Sequence, residues 1–205
     1  MLQRNSHGGN SNGSEIGRSL GESNQPVSRQ LDILTNTFMI RQLPPWFENL
    51  GKRLVRHPKV YVRDTGLLHA LLGLATPAAV EGHPKCGASW EGFCIEQILR
   101  CNDDRQAWFW ATHSGAELDL LLLLNGRKIG FEFKYSDASR TTKSMHSAVG
   151  SLELERLLVV HPGEACYPLT EKIQVLSPSE TLWQLEDSKQ EHAAIHNALT
   201  ERWLK

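Results

Sequence analysis

Apolar positions recur at helical spacing early in the chain. Val27, Leu31, Leu34 and Phe38 share one face of a helix that begins near Pro26. A shorter amphipathic stretch, "SEIGRSLG" at residues 14–21, precedes it, with Ser14 as the capping residue and Gly21 as the stop. "FMIRQL" (38–43) and "KVYVRD" (59–64) read as strands around a Pro44-Pro45-Trp46 loop, with Trp46 exposed at the tip. "DTGLLHALLGL" (64–74) reads as an apolar helix capped by Asp64. Two helices, a tight turn and two strands predict a winged helix over residues 14–75, behind a polar segment, 1–13, expected to be disordered.

The pattern changes after "ATPAAVEGHPKCGAS" (75–89), a stretch rich in Pro, Gly and small residues that marks a boundary near residue 76. "WEGFCIEQILR" (90–100) has helical periodicity, and "AWFWAT" (107–112) is strand-like. Two apolar runs, "ELDLLLLL" and "RKIGFEF", are then joined by Asn125-Gly126, the strongest short-range signal for a β-hairpin. A helix near 143–153, the strands "RLLVVHP" (156–162) and "EKIQVLSP" (171–178) and a short helix at "SETLWQL" (179–185) follow. Strands mixed with helices around an antiparallel hairpin predict an α/β domain with a mixed sheet over 76–186, and then a helical tail at 187–205.

The hairpin carries charges that a buried strand has no use for. With Asn125-Gly126 in a type I′ turn, Leu124 faces Arg127, so Asp119 falls opposite Glu132, and Glu117 opposite Lys134. All four are then expected on one face, with Ile129, Phe131 and Phe133 on the other. Opposed carboxylates repel unless a cation lies between them. Hard oxygen ligands point to Mg²⁺ or Mn²⁺ rather than zinc. On the helix at 90–100, Glu91 falls inside the apolar arc and needs a partner, whereas Glu96 falls on the polar side and reads as surface.

Composition bounds the setting. The 205 residues carry a formal net charge of −1 with a pI near 6.8, so any nucleic-acid contact must come from local patches. Four cysteines in no metal-ligand or disulfide-like spacing point to a reducing, cytoplasmic setting. No signal peptide or membrane span is read, and no membrane association is expected. No phosphate-binding G-x-x-x-x-G-K-[ST] loop occurs, "NLGKRL" being the nearest approach, so ATP hydrolysis is not expected of this chain.

Glu91 on a helix, Asp119 on the first hairpin strand and Glu132-x-Lys134 on the second resemble the PD-(D/E)XK nuclease superfamily. The longer segments "KVYVRDTGLLHALLGL", "GASWEGFCIEQIL", "FWATHSGAELDLLL" and "IGFEFKYSDASRTTKSM" look like domain-of-unknown-function family 4143, with the resemblance running from about residue 14 to about 185. That family is found at the C-terminus of bacterial AAA-type ATPases. The resemblance implies a restriction-endonuclease-like sheet with flanking helices behind a winged helix. It implies a metal held by Glu91, Asp119 and Glu132, catalytic roles for Asp119, Glu132 and Lys134, and an ATPase domain that this chain lacks and would meet in trans. A DNA-directed, Mg²⁺-dependent nuclease or nuclease-like module follows as the expected function. The alternative is a non-catalytic DNA-binding or interaction module whose acidic cluster is structural.

Further residues have places in that reading. Glu117 pairs with Lys134 or lies at the site rim. Gln25, Ser28, Arg29 and Arg41 are candidates to face DNA from the winged helix. Arg140, Lys143 and Ser144 are candidates for backbone phosphates. The basic run Lys52, Arg53, Arg56 and Lys59 reads as solvated surface able to meet phosphates. His192 and His196, four apart on the tail, read as surface histidines.

Overall fold

The computed structural model describes residues 9–10, 24–47, 57–136 and 140–203, with side chains described over 27–47, 57–136 and 140–190. The expected helix at 14–21 lies outside the described residues, as do Lys52, Arg53 and Arg56 and the side chains of Gln25, His192 and His196.

A small unit comes first. Strand β1 (Gly9–Asn10) pairs antiparallel with β3 (Lys59–Val62), which pairs on its other side with β2 (Ile40–Leu43). The strand at Gly9–Asn10 replaces the disorder expected there. Helix α1 (Asn24–Asn36) covers this sheet through Val27 and Leu31, which meet Ile40 and Val60 in a core of their own. Among the described residues this core is small, and it leans on the larger domain through Leu43 and Tyr61. Helix α2 (Thr65–Leu71) begins as its sequence dictates, with the Asp64 carboxylate accepting from the Leu67 N–H at 2.8 Å.

Two short links, α3 (Pro77–Glu81) and the turn after it, lead into α4 (Cys86–Arg100). The larger sheet has the order β4 (Ala107–Ala111), β5 (Glu117–Leu124), β6 (Arg127–Phe133), β7 (Arg156–Val160), β9 (Ile173–Leu176), β8 (Tyr167–Pro168). β4, β5 and β6 are antiparallel, β6, β7 and β9 run parallel, and β8 returns antiparallel to β9. The parallel step from β6 to β7 needs a crossover, and α5 (Lys143–Leu152) supplies it. Helix α4 and the long α6 (Pro178–Trp203) pack on one face of the sheet and α5 on the other. The result is a mixed sheet between two helical layers. Helix α6 runs unbroken across residue 186, where a separate tail was expected to begin.

The hairpin turn has the predicted geometry. Asn125 and Gly126 both take positive φ, 53° and 78°, and Leu124 pairs with Arg127 in a register that holds down to Leu120 and Phe131. Gly130 sits in close packing, since a Cβ there would come within 2.6 Å of Leu154 Cδ1 and that side chain would have to shift.

The Pro44-Pro45-Trp46 segment after β2 lies against the large sheet. Pro45 bridges to Phe109 of β4, the Trp46 N–H donates to the Phe109 carbonyl at 2.7 Å, and the Trp46 ring meets Trp108 edge-on at 4.7 Å. Trp46 therefore extends the open edge of the large sheet, and the expectation of an exposed tip is corrected. Edge strands favour such cover because it satisfies backbone groups they would otherwise leave open.

Candidate functional site: an acidic cluster around Lys59

The site forms where β3 of the small unit crosses the N-terminal half of α4 above the end of the hairpin. Alternate residues of β3 and the position after it, Lys59, Tyr61 and Arg63, face α4, while Val60 turns back into the small unit's core. Lys59 and Tyr61 reach Glu91, and Arg63 reaches Glu96 one turn and a residue further along the helix.

Lys59 stands at the centre. Its side chain is 3 % exposed, and its Nζ lies 3.1 Å from Glu91 Oε1 and 3.5 Å from Asp119 Oδ1 and pairs with Glu117. The Phe109 ring lies beneath it, with the centroid 5.6 Å away. Burial on its own would lower the pKa of this ammonium, but Tyr61 and the carboxylates of Glu91, Asp119 and Glu117 hold it well above the ordinary lysine value. Lys59 was expected as solvated surface, and that expectation is corrected. Its signal was in the sequence: Lys59, Tyr61 and Arg63 share one face of a strand whose opposite face is apolar.

A break in the sheet aims Asp119. Between Trp108 and Trp110 the β4–β5 register slips, so three steps of β5, from Leu118 to Leu121, span what two steps of β4 span. Leu118 and Leu121 pack on the α5 side, whereas Leu120 and Leu122 pack on the α4 side. Asp119 sits in that bulge with one oxygen on Lys59, and the other accepts the Phe133 N–H at 2.9 Å.

Glu132 belongs to a second pair. Its Oε1 accepts from Lys134 Nζ at 2.6 Å, and its Oε2 is buried without a hydrogen-bond partner. Glu117 therefore goes to Lys59 and not to Lys134, and the three hairpin carboxylates divide between two lysines, Glu117 and Asp119 on Lys59 and Glu132 on Lys134.

Four carboxylates (Glu91, Glu117, Asp119, Glu132) meet two ammonium groups (Lys59, Lys134), leaving an excess of two negative charges. The excess shows in the titration. Burial, reinforced by the Asp119 charge, pushes Glu91 and Glu132 each up to about 7.

The donor chemistry suits a hard divalent cation, but the arrangement does not. Among the described residues no three His, Cys, Asp or Glu side chains are gathered closely enough to hold a metal ion. Glu91 and Asp119 are instead drawn onto the Lys59 ammonium.

The other expected residues divide between exposed positions and internal commitments. Ser28 and Arg29 are exposed on α1, and Arg140 and Lys143 are exposed at the start of α5. Ser144 is committed internally, since its hydroxyl accepts from the Glu117 N–H and donates to the Glu117 carbonyl, both at 2.6 Å. Arg41 is likewise unavailable to DNA: it pairs with Glu96 and with Asp104, the latter at 3.1 Å. Glu96 itself, expected on the surface, is 6 % exposed beneath Arg41 and Arg63. The helical arc misplaced it because α4 is covered on two sides, by the sheet and by the small unit.

Two family models match the chain. Residues 86–181 match Domain of unknown function (DUF4143), and residues 2–78 match a second, Domain of unknown function (DUF8612). The small unit thus has a family description of its own, and the resemblance drawn from residue 14 onward narrows to the larger domain. The uncharacterized proteins Rv2008c of Mycobacterium tuberculosis and Mb2031c of Mycobacterium bovis are each 44 % identical over 176 residues, which covers 86 % of this chain. The match takes up 40 % of each relative's length. No solved structure matches the chain. Among the described residues no helix is long and apolar enough to cross a membrane.

Proposed function

We propose that this chain is a nuclease-like nucleic-acid-binding module of an AAA-type ATPase family, non-catalytic as folded, whose acidic cluster is neutralised by lysine. One observation carries the reading: the Lys59 ammonium stands between Glu91, Glu117 and Asp119, where a nuclease of the resembled type would keep its metal. The order of the elements supports the rest. A helix bearing Glu91, a hairpin bearing Asp119 and then Glu132-x-Lys134, and a crossover helix follow one another as the PD-(D/E)XK resemblance implies. The start of α5 lies beside the cluster through Ser144 and carries Arg140 and Lys143 in the open, a suitable edge for a phosphate backbone. The ATPase partner, met in trans, rests on the family resemblance alone.

Two measurements on the full chain test this. Fluorescence anisotropy with labelled duplex and single-stranded DNA should show binding that weakens with salt and weakens further in the Arg140→Ala/Lys143→Ala double variant. Gel assays in Mg²⁺ or Mn²⁺ should show no strand cleavage. Absence of binding to either DNA contradicts the reading.

A second reading has its own support. The buried, unpartnered Oε2 of Glu132 beside Lys134 is the kind of atom that a bound cation satisfies. On that reading the chain cleaves DNA with Mg²⁺ or Mn²⁺, and cleavage that disappears in Glu132→Ala would establish it.

A further inference from the structure

Helix α4 is covered by the sheet and by the small unit, yet one stripe of it stays open. Trp90, Phe93, Gln97 and Arg100 recur at spacings of three and four, so they share one face of the helix. Phe93 and Arg100 are exposed, and Trp90 is half-buried. Such a face is ordinarily polar; this one carries aromatic rings. The Phe93 ring is stacked on Trp90 with centroids 5.9 Å apart, and Tyr135, just beyond β6 and next to Lys134, meets Trp90 edge-on at 6.1 Å. The Trp90 indole N–H donates to the Val160 carbonyl at 3.4 Å, which ties it to the sheet. Trp90 is thus a bracket for two outer rings that both face solvent, Phe93 at 38 % and Tyr135 at 40 % exposure. Rings supported in this way have little freedom left to lose when a ligand meets them.

The far bank of the stripe belongs to the small unit. Phe93, Gln97 and Arg100 face Phe38, Met39 and Arg63 across a cleft of about 410 Å³. That volume falls within the range of sites that take small ligands, about 300–1,000 Å³. Phe38 is 74 % exposed, and its backbone stands at a φ of 60°, in the left-handed region that bulky residues seldom enter. The Arg63 guanidinium lies over its ring, 5.5 Å from the centroid. The two acids lining the cleft are both committed: Glu96 holds Arg41 and Arg63, and Asp64 caps α2. Flat apolar surface therefore alternates with guanidinium groups along the cleft.

We propose that this track is a binding site for single-stranded nucleic acid, with unpaired bases stacked on Phe93, Tyr135 and Phe38 and phosphates set against Arg63 and Arg100. Every base has a π-face, so aromatic platforms hold single strands whatever their sequence, and arginines follow the backbone. A duplex keeps those faces stacked inside itself and cannot offer them. A partner helix is the poorer fit, because it needs a continuous apolar groove and guanidinium groups interrupt this one. The track also leads to the acidic cluster, since Trp90 precedes Glu91 and Tyr135 follows Lys134. The inference rests on the nucleic-acid-binding reading proposed above and narrows it to strands with unpaired bases.

Fluorescence anisotropy on the full chain tests it with three labelled probes: a single-stranded oligothymidylate, an abasic strand of the same length, and a duplex. The proteins are wild type, Phe93→Leu/Tyr135→Leu, which keeps apolar bulk but lacks the rings, and Phe93→Tyr/Tyr135→Phe, which keeps them. Thermal unfolding checks that each is folded, and Phe93→Leu alone serves if the double leucine variant is not. Wild type should bind oligothymidylate about tenfold or more tightly than the abasic strand. The leucine variant should lose that margin, the ring-keeping variant should retain it, and duplex binding should be the same in all three. Undiminished oligothymidylate binding by the leucine variant overturns the proposal and leaves the stripe to a protein partner. A loss shared equally by all three probes overturns it too, as does a wild type that treats oligothymidylate and abasic strand alike. Wild type that binds no nucleic acid removes this inference together with the proposed function, whereas binding that ignores the rings removes this inference alone.

Discussion

Glu91 and Glu132 show at the scale of single residues what the cluster's charge excess does. Each is pushed up to about 7 by burial and by Asp119, from an ordinary value of 4.5. A carboxyl whose folded pKa is the higher takes up a proton on folding between the two values. Its stabilising contribution is therefore complete below the unfolded value and is lost as pH rises through the folded one. The expected contribution is on the order of 1–3 kcal/mol for each carboxyl. The thermal midpoint should fall between about pH 5 and about pH 8, and Glu132→Gln should flatten that fall. Scanning fluorimetry over that range checks it, and a midpoint that stays level or rises contradicts the protonation described. The sequence exposed these two residues because both interrupt apolar patterns. Lys59 carried a weaker signal, the strand face it shares with Tyr61 and Arg63, which its place in a basic run masked until that face is seen to meet a helix.

At the scale of elements, the hairpin was the most legible part of the chain. Asn125-Gly126 dictates a turn with two positive φ values, and the turn fixes the register from Leu124 and Arg127 down to Leu120 and Phe131. The bulge opposite Trp108 and Trp110 was not legible, since a run of five leucines carries no mark of which one is extra. That bulge is why Asp119 turns to Lys59 instead of standing as a plain cross-strand partner of Glu132. Helix α4 was half legible. Its apolar arc located the sheet-facing side, but Glu91 and Glu96 lie under a second covering element that no periodicity within the helix announces. Removing Glu96 leaves Arg41 with Asp104 alone and Arg63 without its carboxylate partner, both over a buried surface. Glu96→Ala should cost about 3–5 kcal/mol. Urea unfolding measures it, and a loss under about 1 kcal/mol would show that the clamp adds little.

For the whole molecule, the two family matches and the contacts between them describe one working object. The region matching one family supplies Lys59, Tyr61, Arg41 and Arg63, and the region matching the other supplies the acids they hold. Among the described residues the small unit's own core is Val27, Leu31, Ile40 and Val60, and Leu43 and Tyr61 belong to the large domain's core. The unit is thus as much a lid on the acidic cluster as a domain beside it. Family resemblance located the cluster within the chain. Only the juxtaposition of the two units, which sequence patterns do not record, shows what fills it.

NMR of the lysine ammonium groups in the wild-type protein shows whether Lys59 is the resident cation of the cluster. Lys59→Gln assigns the signal. A slowly exchanging Lys59 NH₃⁺ resonance should persist above the ordinary lysine range and stay unmoved when Mg²⁺ is added. A Lys59 signal that exchanges and titrates like those of exposed lysines, or that shifts as Mg²⁺ enters, would contradict it.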